Sequence, residues 1–211
     1  MLKKIIRNLK RPIPDLARYC LSKIFSIVWK QYLAEVGGKF HVWNGARFQG
    51  ARAIHIGKSF YSGPGLWIEA VQSYCDHKYN PVIKIGDNVT CSDSVHIAAT
   101  DSVCIGNGVL IGSRVYVSDH AHGSYTGEWQ DSPSTPPAYR KLPTGRPVQI
   151  GDNVWLGDGV VILPGVTVGN GVIVGANSVV SKNLPDNVIA VGIPAKVIKK
   201  FSDFSGKWER V

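Results

Sequence analysis

The 211-residue sequence is sparing with cysteine, modest in charge and free of long apolar runs, and each shortage removes a class of protein. Its four cysteines, Cys20, Cys75, Cys91 and Cys104, show neither a CxxC spacing nor a secreted disulfide framework. Reduced thiols in a cytoplasmic protein are the expectation. Lys23 and Lys30 interrupt the N-terminal apolar stretch well short of a membrane span, so neither a signal peptide nor a transmembrane helix is expected there. A folded face of basic residues interleaved with aromatics is missing too, which argues against nucleic acid as a partner.

What charge there is lies at the ends. The net charge is +9. Residues 1–30 hold eight Lys/Arg against one acid and residues 196–211 five against two, while residues 31–195 are almost balanced. In 2–10, LKKIIRNLK, the residues Leu2, Ile5, Ile6 and Leu9 fall on one helical face, and Lys3, Lys4, Arg7 and Lys10 on the other. Pro12 and Pro14 end that pattern. A second helix is expected from about Asp15 to Glu35, with a narrow polar stripe of Arg18, Ser22, Ser26 and Lys30. Two compatible readings follow for this basic segment, 1–38: an interfacial helix drawn to anionic lipid at the inner membrane through residues 1–30, or a cap on the open end of the main domain.

From residue 56 a period of six sets in. An aliphatic residue is followed by Gly, two polar residues and a Val, with first positions at Ile56, Ser62, Ile68; Ile85, Cys91, Ile97; Ile105, Ile111, Val117; Ile150, Leu156, Ile162; and Val168, Val174, Val180. Neither a helix nor a simple hairpin uses such a period. One short strand plus one corner does, and three such units close a triangular coil that stacks on the next at about 4.8 Å. First and fifth positions point inward; Gly, Asn and Asp supply the corners. About five coils follow, with a weaker partial coil at Val42, Phe48 and Ile54. The β domain is expected over 39–195, with a basic tail at 196–211. The repeat is interrupted between Val117 and Ile150 by a proline-rich loop near 123–149, a length that usually serves a site.

The stretch IGDNVWLGDGVVILPGVTVGNGVIVGANSVVSKNLPDNVIAVGIPAKVIKK resembles the C-terminal half of hexapeptide-repeat acyltransferases. Over about 85–200 the chain is similar to the maltose/galactoside acetyltransferase branch. VHIAA, VSDHAHG, VWLGDGVVILPG and the terminal WERV bring it closer to bacterial lipopolysaccharide (O-antigen) sugar O-acetyltransferases. The resemblance implies a left-handed parallel β-helix, a homotrimer with sites at subunit boundaries, and acetyl-CoA as co-substrate. It also implies transfer of acetyl to a sugar hydroxyl of a surface polysaccharide precursor, which could be lipid-linked.

VSDHAHG, where the long loop leaves the coil, holds the candidate chemistry. Deprotonating a hydroxyl as it attacks a thioester suits a neutral imidazole, and no metal or acyl-enzyme is needed. In the relatives the first His of this pair is the base, which is His120 here. His122 is expected beside it in a supporting role near the acceptor. Strand alternation sends Asp119 away from the His120 ring. A metal reading would need a third histidine; His96 falls on a different side by hexad count, so no metal is expected. By hexad phase the outward residues His96 and Tyr116 stack one coil apart and line an acceptor pocket or form a polar ladder. Two positions that contact the sugar in maltose-type enzymes are Ser92 and Thr100 here, a departure that points to a different acceptor. On the donor side the resemblance implies Trp155, Asp158, Ala176, Ser181 and Lys182, with Lys182, Lys196 and Lys199 meeting the CoA phosphates. The rivals are an N-acetyltransferase on a nucleotide-linked amino sugar, a non-catalytic β-helix binding module and a metal-loaded hydratase.

Overall fold

The computed structural model describes residues 12–211, so the amphipathic pattern expected for residues 2–10 lies outside the described residues. The body is a left-handed parallel β-helix with six rungs on each of three faces. Face 1 is built from Glu35–Val36, Ile54–Ile56, Val82–Ile85, Ser102–Ile105, Val148–Ile150 and Thr167–Val168. Face 2 stacks Phe40–His41, Phe60–Ser62, Thr90–Cys91, Leu110–Ile111, Trp155–Leu156 and Ile173–Val174. Face 3 stacks Arg47–Gln49, Trp67–Ala70, His96–Ala99, Tyr116–Ser118, Val161–Ile162 and Val179–Val180. The first rung begins at Glu35, ahead of the boundary expected at 39, so the coil read as partial is a full one. Ile54 is not its third member but part of the next coil, where it pairs with Ile83.

The hexad is explained by what each position meets. The first and fifth positions form columns of Ile, Leu and Val that are almost wholly buried, with Ser62 and Cys91 among them. Burial pushes the Cys91 thiol up to about 12, so it is a core residue and no nucleophile. The fourth position is left-handed, with φ near 57° at Asn88, Asn153 and Asn177 and 68° at Gly159, which is why Asn and Gly recur there. The second position is Gly where coils touch: a Cβ on Gly106 would lie 2.4 Å from Asp152 Oδ1. At the corner between faces 1 and 2 runs a column of side-chain acceptors. Asn107 Oδ1 accepts from Asp87 N–H (2.8 Å), Asp152 Oδ1 from Asn107 N–H (2.6 Å), Asn170 Oδ1 from Asp152 N–H (2.8 Å) and Asp186 Oδ1 from Asn170 N–H (2.8 Å).

The corners differ. From face 1 to 2 and from 2 to 3 successive first positions are always six apart. At the return corner, from face 3 to face 1, they are eight apart at Phe48–Ile56 and Ile97–Ile105, seventeen at Ile68–Ile85 and thirty-three at Val117–Ile150, and fall back to six only at Ile162–Val168. Residues 71–81, unremarked in the sequence, form a small hairpin, Ser73–Tyr74 with His77–Lys78. The long loop packs against it. Tyr74 OH donates to Ala138 O (2.8 Å), Leu142 N–H donates to Tyr79 OH (3.2 Å), and Leu142 is buried. Within the loop Arg140 bonds Thr135 O (2.6 Å) and Tyr125 OH (2.7 Å).

The helix Ile13–Tyr32 starts behind Pro12, with Pro14 in its first turn where no intrahelical N–H is needed, and lies across the first coil. Of the stripe read as polar, the two serines face inward and Arg18 and Lys30 are exposed. Ser22 and Ser26 are buried; Ser26 Oγ accepts from Val42 N–H (2.9 Å) and donates to Ser22 O (2.7 Å). Trp29 packs on Phe48 at 4.9 Å between ring centres. The end of the prism thus receives the Ser26 hydroxyl, which answers the open backbone of Val42. At the other end Val188–Gly192 adds one more parallel rung to face 2, and Ala195–Ser202 and Lys207–Arg210 then reverse direction and extend it, so the expected basic tail is sheet.

Candidate active site

The strand Tyr116–Ser118 ends at the return corner of the fourth coil, and the alternation that would separate neighbouring side chains ends with it. Asp119 and His120 therefore turn together, contrary to the expectation that Asp119 points away. His120 Nδ1 lies 2.8 Å from Asp119 Oδ1. Asp119 is fully buried and also accepts the N–H groups of Thr100 (2.9 Å), Asp101 (2.8 Å) and Ser102 (2.8 Å), all from the return corner one coil below. The extra residues of that corner, Thr100 among them, aim three amides at one carboxylate. Burial alone would raise the Asp119 pKa, but the bonds from His120, Thr100 and Asp101 outweigh it and hold the group below its ordinary value. An ionised Asp119 accepts only, so the imidazole carries its proton on Nδ1 and presents the Nε2 lone pair. Ser118 braces the His120 backbone: its Oγ donates to His120 O (3.0 Å) and accepts from His120 N–H (3.2 Å). The His120 side chain is 10% exposed.

His96 lies on the same face as this corner, not on another side. It pairs with Tyr116 twenty positions on, because the return corner lengthens this coil beyond eighteen residues. As expected from phase, the His96 and Tyr116 rings are neighbours, with centres 5.2 Å apart. Below them His96 stacks on Trp67 (4.0 Å), and Arg47 sits over the far face of Trp67 (4.2 Å). Burial, then the charges of Arg47 and His120, lowers the His96 pKa to about 4, so its ring is neutral. His96 Nε2 is buried without a hydrogen-bond partner among the described residues, 3.9 Å from Glu69 Oε2. Glu69 is raised by burial and held back by the charges of His120 and Arg47.

Arg47, Trp67 and Glu69 were missed in the sequence. The signal was there: on face 3 the second hexad position is never Gly, at Gln49, Glu69, Ala98, Ser118, Leu163 and Ser181. In the first four coils the strands on this face run on through that position instead of turning at once. Thr100, a candidate sugar-contact position, is 1% exposed and committed to Asp119.

His122 stands off from this cluster on the hairpin side, its Nδ1 3.2 Å from Tyr74 OH. The expected donor residues divide between two edges. Ser181 and Lys182 follow Val180 at the return corner, on the same edge as His120 and two coils further on. Asp158 and Ala176 stack at the corner between faces 2 and 3, where Asp158 Oδ1 also accepts from Ser113 N–H (2.8 Å). Trp155, half exposed on face 2, precedes that corner, and Lys196 reaches it through pairing with Val191. Lys199 lies on the same strand opposite Ile189. Among the described residues no group of three or more His, Cys, Asp or Glu is arranged to hold a metal ion.

Comparison with known proteins bears on this arrangement. Residues 147–182 match the family model described as bacterial transferase hexapeptide (six repeats). The chain is 44% identical over 159 residues to the Escherichia coli (strain K12) protein named "Putative lipopolysaccharide biosynthesis O-acetyl transferase WbbJ", covering 75% of this chain and 77% of that one. Among solved structures it is similar to galactoside acetyltransferase in complex with coenzyme A, with 30% identity and TM-score 0.52 over 85% of this chain and 70% of that one. The fold also matches AntD, an N-acyltransferase from Bacillus cereus, at TM-score 0.66 and 23% identity, over 82% of this chain and 86% of that one. With a continuous β-helix and a relative of this identity and coverage, the chain belongs to the hexapeptide-repeat acyltransferases.

Proposed function

We propose that the chain transfers acetyl from acetyl-CoA to a sugar hydroxyl of a bacterial surface polysaccharide precursor, with His120 as general base. The observation that carries the reading is the Asp119–His120 pair. A buried carboxylate with four donors fixes the imidazole with Nδ1–H inward and Nε2 free to take a proton. In the reaction Nε2 takes the acceptor hydroxyl proton as its oxygen attacks the thioester carbon. Asp119 stabilises the imidazolium so formed, and the proton passes to the departing CoA sulfur. The acceptor lies over face 3, where Glu69, His96 and Tyr116 offer an acceptor, a partnerless ring nitrogen and a phenol. WbbJ, by its name a lipopolysaccharide O-acetyltransferase, supports the acceptor class.

The donor runs along the return edge from His120 towards Ser181 and Lys182. Asp158, Ala176, Trp155, Lys196 and Lys199 of a neighbouring copy face it across the groove of a homotrimer. An exposed apolar row on face 2, with Tyr61 41%, Leu110 43% and Trp155 50% exposed, supports such burial between copies. The enzyme works in the cytoplasm beside the inner membrane, where a lipid-linked acceptor is presented. The test is CoA-thiol release from acetyl-CoA with a lipid-linked oligosaccharide extract and, in parallel, sugar nucleotides, with His120→Ala as control. Release with the glycolipid, lost in the variant, is expected. Release only with an amino-sugar nucleotide would move the protein to N-acetylation, and silence with every acceptor would overturn the reading.

A further inference from the structure

The helix Ile13–Tyr32 is inside out. Ser22, Ser26 and Trp29 face the prism, and most of its aliphatic residues face away: Ile13 is 83% exposed, Leu21 54%, Ile24 60%, Ile27 64% and Val28 47%. At 100° per residue these side chains share one side, while Lys23 and Lys30 stand along one flank and Arg18 along the other. Lys23 Nζ reaches back over the Tyr19 ring (5.2 Å) and Lys30 Nζ to Gly38 O (3.2 Å), so the outward strip is left apolar between cationic margins. No helix among the described residues is long and apolar enough to cross a bilayer.

We infer that this strip docks on the surface of an anionic phospholipid bilayer, with the helix lying in the interface plane. The inference deepens the peripheral contact proposed above by assigning its surface. An apolar strip between cations is the pattern of an in-plane helix: side chains enter the acyl boundary and ammonium groups meet lipid phosphates. Charge selects this occupant over a second copy of the same strip. The helix carries Arg18, Lys23 and Lys30 against the single acid Asp15, so two such faces would bring like charge together, whereas a surface of lipid phosphates complements it. The geometry also places the site. The helix caps the first coil and His120 leaves the fourth, three rungs or about 15 Å along the prism. A glycan carried on lipid would reach that height from the same surface.

The test is flotation of the full-length protein with vesicles of phosphatidylcholine, with and without 30 mol% phosphatidylglycerol. Wild type is expected to bind the anionic vesicles at least ten-fold more tightly than neutral ones. The double variant Ile24→Ser, Ile27→Ser keeps every charge and every inward contact, and is expected to lose ten-fold or more of that binding with unchanged size on gel filtration. Equal binding of variant and wild type would assign attraction to the basic residues alone and overturn the strip as the docking surface. Absence of binding, or a variant that changes oligomeric state instead, would hand the strip to another part of the protein. Vesicle binding needs neither acetyl donor nor acceptor, so its failure is separate from failure of the proposed activity.

Discussion

The prism has two kinds of corner. At the two regular ones, hexads follow without interruption, glycine lets coils touch, and the polar side chains answer backbone groups of the neighbouring coil. At the return corner, insertions of different lengths stack on one edge, and every group placed near His120 lies on or beside it. The contrast separates scaffold from chemistry. A six-residue corner has few side chains to spare, since its first and fifth positions are core, its second meets the next coil and its fourth is left-handed. Only where the chain overruns the period can it aim three amides at Asp119 or fold a hairpin against a loop.

That division can be broken at its strongest point first. His120→Ala is expected to lower turnover about 1,000-fold while acetyl-CoA affinity is unchanged; a variant keeping more than a tenth of wild-type rate would remove the base assignment. Asp119→Asn keeps the shape but turns an amide NH2 towards buried donors and frees the ring tautomer. Turnover should fall at least 100-fold and stability by about 2–3 kcal/mol, read by denaturant melts.

Acidification sharpens the comparison next. His96 is neutral in the folded protein down to about pH 4 but protonates near 6.5 when unfolded. The unfolded chain therefore binds the extra proton, and stability falls as pH drops from 6.5 to 4, by up to about 3 kcal/mol. Asp119, held below its ordinary value, adds a further loss at lower pH, whereas the raised Glu69 acts in the opposite sense. Replacing His96 with Gln should flatten the upper part of that slope in melts taken across the range. Glu69→Gln should raise the acceptor KM about ten-fold, with melting temperature unchanged or slightly higher at neutral pH; an unaltered KM would place the acceptor elsewhere. At the regular corner Asp152→Ala removes the acceptor of Asn107 N–H and should cost about 1 kcal/mol with kcat within two-fold. Equal effects on rate from Asp152 and Asp119 variants would dissolve the distinction between corners.

Sequence periodicity revealed the prism because the inward columns at Ile85, Ile105 and Ile150 admit little but aliphatic side chains. His120 is singled out by resemblance, not by pattern. Alternation misled at Asp119 because it describes strands, and the strand stops at Ser118. Counting by hexads misplaced His96 because two extra residues at the corner after Ile97 lengthen its coil. Glu69 went unseen because a carboxylate in a six-residue period resembles any corner acid until its register is known. The helix shows a deeper limit. A 3.6-residue period says that two faces differ, not which one is inward, and here Val42 N–H needed a hydroxyl more than the core needed another isoleucine.

The acceptor column at the first regular corner runs in one direction. Asp87 N–H waits for Asn107, Asn107 N–H for Asp152, Asp152 N–H for Asn170 and Asn170 N–H for Asp186. Each coil is thus finished by a residue that the ribosome adds later. A nascent chain halted between coils keeps one donor open at its growing end, and the series closes only once residue 186 has been made. Excising a whole internal coil from the gene would preserve the column, whereas ending the chain anywhere before residue 186 would leave the last amide exposed to water or to another chain.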